Sequence, residues 1–401
     1  MNDHLKIKPN SASPLSFGEG PGVRLPDWTK PRRRIIISGG GTGGHIFPAI
    51  AIANALTEND PTVKILFVGA EGRMEMEKVP AAGYRIVGLP VRGFNRKNPF
   101  KNFSVIYKLI RSLFIARIII RRFHPDAVVG VGGYASAPVV RAASRKQIPA
   151  VVLELNSYAG IANKLLARKA DKICVAYEGM ERFFPKQKIV LTGNPVRAEL
   201  NDCHLQHEQS LSFFDLDANK QTILILGGSQ GARTINQSVE AYLGRFPANL
   251  QLIWQTGKNF YERAKAQIQS RKMPNVKVFE FISRMDLAYA AADLVVSRAG
   301  AGTISELSIT GKPCILVPSP NVAEDHQTKN AMTLVRKNAA LIVRDCEAVE
   351  KLFPEAVAMV QNHAILEPLA DHIKMFAKFH ADETIAEVII QLINNGHEKN
   401  F

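Results

Sequence analysis

The stretch RIIISGGGTGGHIFP, Arg34 to Pro48, decides the fold. Ile35 to Ile37 are β-branched and apolar, and with Ser38 they read as a short buried strand. Glycines follow at 39, 40, 41, 43 and 44. The run from Ala49 to Leu56 then reads as a helix, with Pro48 in a first turn where proline is tolerated. Strand, glycine loop and helix, in that order, set backbone N–H groups and the positive end of a helix against an anion. A second unit of the same design begins with Thr222 to Leu226, continues through GGSQGA at 227–232 and enters a helix at Arg233. Two such units in one chain of 401 residues imply two similar halves facing each other across a cleft.

Between and beyond these units short apolar runs alternate with helical segments. Val63–Val68, Tyr84–Gly88, Ala127–Gly130, Ala150–Leu153, Lys172–Ala176 and Lys188–Leu191 read as strands in the first half. Leu250–Gln255, Val276–Phe279, Leu294–Ser297, Cys314–Val317 and Leu341–Val343 do so in the second. A helix is expected over Glu71–Ala82. The alternation makes the fold class α/β, with doubly wound parallel sheets. The pattern lapses between 201 and 220, which reads as a linker. The domain reading is a disordered tail over 1–33, a first domain over 34–200 and a second over 221–380. The terminal helix in 381–401, apolar at Ile385, Val388, Ile389 and Leu392, is expected to pack back on the first domain.

Composition narrows the function. The net charge of +15, from 51 basic and 36 acidic residues, calls for an anionic partner. Eleven lysines or arginines and no acid lie between Glu77 and Asp126. Within that span NPFKNFSVIYKLIRSLFIARIIIRRF, Asn98 to Phe123, is apolar and basic at helical spacing. It reads as a sheet-covering helix with a cationic face, or as a surface that docks on anionic lipid headgroups. No apolar run is long enough to span a membrane or to serve as a secretion signal. The four cysteines, at 174, 203, 314 and 346, form no CxxC pair, which suits reduced thiols rather than a disulfide framework or a zinc site.

Several stretches carry candidate chemistry. Gly39–Gly44 fits the dinucleotide fingerprint, but the acid that motif wants has only Glu71 as a late candidate, and His45 is foreign to it. His45, in the first turn after the loop, would face whatever anion the loop holds. Gly130-Val131-Gly132-Gly133-Tyr134 ends another strand and reads as a second phosphate cradle or as tight strand–helix packing. SRAGAGTISE, Ser297 to Glu306, also follows a strand, and Glu306 is placed to accept hydrogen bonds from ribose hydroxyls. Pro318 to Gln327 forms a proline-stiffened loop entering a helix, with side chains suited to sugar hydroxyls. Asp215-Leu216-Asp217 reads as a surface turn, and no bound metal or other cofactor is inferred.

Taken together, these motifs resemble the MurG family, UDP-N-acetylglucosamine (UDP-GlcNAc)-dependent N-acetylglucosaminyltransferases that act on lipid-linked muramyl-pentapeptide in peptidoglycan synthesis. The resemblance runs from Arg34 to the C-terminus. It rests on GGGTGGHIFPAIAIA (39–53), VGVGGYAS (129–136), NSYAGIANKLLA (156–167), GNPVR (193–197), GGSQGARTIN (227–236), SRAGAGTISEL (297–307) and VPSPNVAEDHQTKNA (317–331).

The resemblance implies a GT-B fold, two Rossmann-like domains facing across a cleft. It implies that UDP-GlcNAc is held by Arg197, Ser229, Ile282, Ala301, Gly302, Thr303, Ile304, Ser305, Glu306 and Gln327. Thr42, Gly43, Gly44 and Asn156 match donor contacts from the first domain. Gly41, Gly132, Gly133 and Tyr134 would face the acceptor diphosphate of lipid I, the undecaprenyl-diphosphate-linked MurNAc-pentapeptide. His45 is the candidate base, its ordinary pKa of about 6.5 suiting proton transfer. The implied place of work is the cytoplasmic face of the bacterial inner membrane, as a peripheral protein on anionic phospholipid, with other cell-wall synthesis and division proteins as partners and no nucleic acid. One departure is Leu155, where the family has glutamine between Glu154 and Asn156. A UDP-GlcNAc 2-epimerase of the same two-domain design, or another GT-B UDP-sugar enzyme, is the alternative.

Overall fold

A computed structural model of the chain describes residues 33–41, 43–91, 102–227 and 231–398. Thr42, Ser229, the tail over residues 1–32 and the opening of the basic stretch at 98–101 lie outside the described residues.

Two parallel sheets form the molecule. The first holds β1 (Arg34–Gly39), β2 (Lys64–Ala70), β3 (Arg85–Leu89), β4 (Ala127–Gly132), β5 (Ala150–Glu154), β6 (Lys172–Val175) and β7 (Ile189–Leu191). Their order is β3-β2-β1-β4-β5-β6-β7. The second holds β8 (Gln221–Leu226), β9 (Leu250–Gln255), β10 (Val276–Phe279), β11 (Leu294–Ser297), β12 (Cys314–Leu316) and β13 (Leu341–Ile342), ordered β10-β9-β8-β11-β12-β13. Every pairing is parallel, so helices must cover both faces, and the central strands are mostly apolar. β1, β4, β8 and β11 consist of residues that are buried almost without exception.

Strand order fixes where ligands can go. In each sheet the order reverses beside the first strand, between β1 and β4 and between β8 and β11. The loops after neighbouring strands then leave in opposite directions and open a crevice at their carboxyl ends. Both glycine-rich units of the sequence end at these two crevices.

Three local differences from the sequence reading have physical causes. The helix expected from Glu71 starts at Glu75, because Gly72 turns through a φ of +67° that ends the extended chain without continuing as helix. The stretch 201–220, read as a linker, contains the helix His207–Phe214. Leu200, Cys203 and Phe214 pack with Leu224, Leu226 and Ile253, so this stretch is part of the second core. Asp215 closes that helix in the left-handed region and pairs with Lys277, while Asp217 accepts the Asn219 N–H in a turn.

The last helix, Ala381–Glu398, buries Ile385, Ala386, Ile389 and Ile393 in the first domain's core with Ile52, Leu56 and Val131. Leu155 lies in the same core, 5% exposed. Its side chain therefore contributes packing, and a glutamine amide at that position would have to be buried. Cys174, Cys203 and Cys314 are buried and Cys346 is exposed. Burial pushes the Cys174 and Cys314 thiols up to about 12.

Candidate active site

At the first crevice the two glycine loops pack on each other. A Cβ on Gly133, which has a φ of +79°, would come within 2.3 Å of the Gly40 carbonyl oxygen. One on Gly132 would come within 2.6 Å of the His45 ring. These glycines are thus required by close approach of β4's loop to β1's. Ser136 reinforces the junction, with Oγ 2.7 Å from the carbonyl oxygens of Ser38 and Gly132 and accepting the Gly132 N–H at 3.1 Å. Tyr134 stands out from this edge, 58% exposed.

An acid enters the first loop that sequence reasoning did not single out. Glu75 is 1% exposed and its carboxylate accepts the Gly41 N–H at 3.0 Å and the Ala70 N–H at 2.9 Å. The Gly41 amide is thus committed to Glu75. Gly43 and Gly44 begin the helix Gly43–Asn59, and Gly44 is exposed at its start.

His45 is the third residue of that helix and is half-buried against Gly132. Burial lowers its pKa from 6.5 to about 4; His326 adds to the shift and Glu75 opposes it. His45 is therefore neutral at pH 7 and less basic than the ordinary value suggested.

At the second crevice, Gly300 is extended and leads into the helix Ala301–Thr310. Ala301, Gly302, Thr303, Ser305 and Glu306 are half-buried on its accessible side. Ile304 is 1% exposed and belongs to the core, so only its backbone can meet a ligand. Ile282 is buried too, and donates its N–H to Gln255 Oε1 at 2.9 Å. Glu306 accepts the Tyr289 hydroxyl at 3.0 Å. Burial raises the Glu306 pKa, against the opposing effects of the Arg197 charge and the Tyr289 bond. Gln327 ties its helix to the preceding loop by accepting the Ser319 N–H at 2.8 Å. Just before it Glu324 and Asp325 have φ of 55° and 53°. Two successive non-glycine residues in the left-handed region store backbone strain of roughly 1–3 kcal/mol each, a feature that concentrates at ligand sites.

The two crevices meet through specific contacts. Asn330, fully buried, accepts the Ser157 N–H at 3.0 Å and its hydroxyl at 3.1 Å, and donates to Asn156 Oδ1 at 3.1 Å. Asn156 is held from its other side by Glu154, whose carboxylate also takes the Gly160 N–H and the Asn163 amide. Asn194 donates to Ser305 Oγ at 3.0 Å. Arg197 lies over the Phe47 ring, 5.8 Å from its centroid, and His326 is close enough for its charge to act on His45. His45, Asn156, Arg197, Glu306 and Gln327, which the sequence placed far apart, thus border one cleft. Asn330 and Glu75 are the members that sequence reasoning missed. Gly40 and Gly69 were the available signal for Glu75, because a side chain on either would strike it.

Comparison with known proteins defines the class. Residues 35–175 match the glycosyltransferase family 28 N-terminal domain and residues 222–385 the glycosyltransferase family 28 C-terminal domain. The chain belongs to glycosyltransferase family 28. It is 56% identical over 369 residues, 92% of this chain and 98% of the relative, to the UDP-N-acetylglucosamine–N-acetylmuramyl-(pentapeptide) pyrophosphoryl-undecaprenol N-acetylglucosamine transferase of Phocaeicola vulgatus. It is 55% identical to the protein of the same name from Parabacteroides distasonis, over 90% of this chain and 98% of that one. Among solved structures, MurG of Acinetobacter baumannii superposes with a TM-score of 0.71 at 26% identity, covering 90% of this chain and 99% of that one. The UDP-GlcNAc 2-epimerase of Neisseria meningitidis covers 89% of this chain and 100% of its own with a TM-score of 0.59 at 17% identity, a likeness of fold alone.

The burial of His45 has a measurable consequence. In the unfolded chain its ring takes a proton near pH 6.5, in the folded chain near pH 4. Between those values the unfolded state binds more protons, so the His45 contribution to stability falls as pH drops through that window. We expect the His45 ring signals in NMR to stay in the neutral form from pH 7 to pH 5 in the free protein, and His45→Gln to flatten the loss of stability between pH 6.5 and 4.

Proposed function

We propose that this protein transfers GlcNAc from UDP-GlcNAc to the 4-hydroxyl of the MurNAc residue of lipid I, with inversion, giving lipid II and UDP. The observation that carries the reading is the convergence of residues from both sheets on one cleft, with Asn156 of the first bonded to Asn330, three positions after Gln327 of the second. Relatives of near-identical length and more than 50% identity carry that activity in their name.

In this reading the second domain holds the donor. Glu306 accepts the ribose hydroxyls, beside Arg197 and Tyr289. Gln327 and Asn156 meet the sugar from opposite sides of the cleft. Ser229 and Thr42, outside the described residues, and Ala301 to Ser305 address the nucleotide diphosphate. The acceptor diphosphate lies along the edge formed by Gly132, Gly133 and Tyr134. The acceptor oxygen attacks C1 of GlcNAc, the bond from C1 to the β-phosphate oxygen breaks, and UDP leaves with the bonding pair. His45 takes the hydroxyl proton. Its neutral state at pH 7 leaves the accepting nitrogen free of a proton, and the charge of two bound diphosphates raises its basicity when the substrates are in place. Helix N-termini and backbone N–H groups stabilise the departing charge.

The test is transfer of labelled GlcNAc to a short-chain lipid I analogue, with EDTA present. The wild-type protein is expected to form the β(1→4) product. His45→Ala should lower kcat by roughly 10²-fold or more. Near-normal turnover in that variant would remove His45 from the base role.

We further propose that the helix Asn102–Phe123 docks on an anionic phospholipid surface. Among the described residues no helix is long and apolar enough to cross a membrane. Val105, Ser112, Ala116 and Ile120 turn inward, whereas Ile106, Ile110, Phe114 and Ile118 form an exposed apolar stripe with four-residue spacing. Tyr107, Arg111, Arg121 and Arg122 are exposed around it, and Arg117 lies over the Phe114 ring at 5.4 Å. Apolar residues entering the headgroup region, with cations beside them, fit such a surface. Phe114→Asp is expected to reduce cosedimentation with phosphatidylglycerol vesicles severalfold, and added salt to weaken wild-type binding. Equal binding to phosphatidylcholine vesicles would contradict the electrostatic part.

A further inference from the structure

We propose that Glu75 is a positioning residue that fixes the first glycine loop and, through the packing of Gly133 on Gly40, the Gly132–Tyr134 edge that receives the acceptor's diphosphate; the inference rests on the acceptor reading above. The loop is built from residues with little conformational preference of their own. Gly40 and Gly41 sit at φ of +141° and +91°, and nothing lies within 4 Å of the position a Gly41 Cβ would take. Left alone, such a segment samples many shapes, and ordering it at binding would weaken affinity.

Glu75 removes that freedom from beneath. One carboxylate oxygen accepts the Gly41 N–H at 3.0 Å and the other accepts the Ala70 N–H at 2.9 Å, tying the loop after β1 to the end of β2. Both bonds end on a carboxylate, the stronger kind of acceptor, and the Ala70 bond is buried while the Gly41 bond is part-buried. The space is built for the carboxylate. A Cβ on Gly40 would lie 2.1 Å from Glu75 Oε1, and one on Gly69 would lie 2.5 Å from its Cγ. The glycines of SGG and VGA thus clear a seat for one side chain from the next helix. The same loop supplies the carbonyl of Gly40 against which Gly133 packs, so the clamp also sets the second loop. Glu75 touches no reacting atom in this arrangement and acts through the loop.

Two variants test this without relying on one fold-sensitive change. Glu75→Gln keeps the shape but sets an NH₂ against one of the two N–H donors. Gly69→Ala displaces the carboxylate from a position with no positive φ. Each is expected to raise KM for the lipid I analogue about tenfold and leave KM for UDP-GlcNAc within about twofold, with the thermal midpoint lowered by only a few degrees. The double variant should be no worse than the stronger single, because both remove one contact. Calorimetry with farnesyl diphosphate gives a readout that needs no turnover, and the same weakening of about tenfold is expected there. If the wild type binds farnesyl diphosphate in a Glu75-dependent way yet transfers no GlcNAc, the proposed reaction fails and the clamp stands. An unchanged acceptor KM and diphosphate affinity in both folded variants would overturn the clamp. So would a parallel loss of both substrates' KM together with thermal stability, since that marks a merely structural role.

Discussion

The buried amide of Asn330 is the contact on which the cleft depends. It accepts two hydrogen bonds from Ser157 and donates one to Asn156, so a single side chain from a helix of the second domain satisfies polar groups of the first. Such groups would be costly to bury unpaired, and their pairing fixes the relative placement of the two crevices. Glu154 holds Asn156 from behind. The result is a polar seam in which each partner's position is set by the next.

Around that seam the two halves contribute differently. In the first, glycines let loops approach each other and a histidine ring, and a carboxylate from a neighbouring helix pins the loop nearest the cleft. In the second, a helix start, a half-buried carboxylate paired with a tyrosine, and a strained turn before Gln327 frame the other wall. Backbone and polar groups do most of the contacting, which suits ligands made of phosphates and sugar hydroxyls.

The parts of this arrangement legible in the sequence were those set by local rules. Glycine runs after apolar strands marked both switch points, because only glycine permits the close approach of Gly133 to Gly40 or the φ of Gly132. The α/β class followed from strand–helix alternation, and the likeness of the motifs to one family indicated the GT-B architecture. What sequence could not show depends on tertiary approach. Glu75 looks like an ordinary helix-start acid until its helix is docked under the loop. Asn330 looks like a polar residue on a helix face until the second sheet meets the first. Leu155, where the family has glutamine, lies in the core that the last helix completes. His45 was read with its ordinary basicity, and only its surroundings reveal that it is held neutral.

In the proposed reading the Asn330 seam completes the donor site across the cleft. The most direct measurement is UDP affinity by calorimetry alongside turnover in Asn330→Ala. UDP affinity is expected within about threefold of wild type, since in the proposed reading the second domain holds the nucleotide. Turnover is expected to fall by about tenfold or more, the scale of one lost buried polar interaction. Unchanged turnover, or a loss of UDP affinity that matches the loss of turnover, would contradict it.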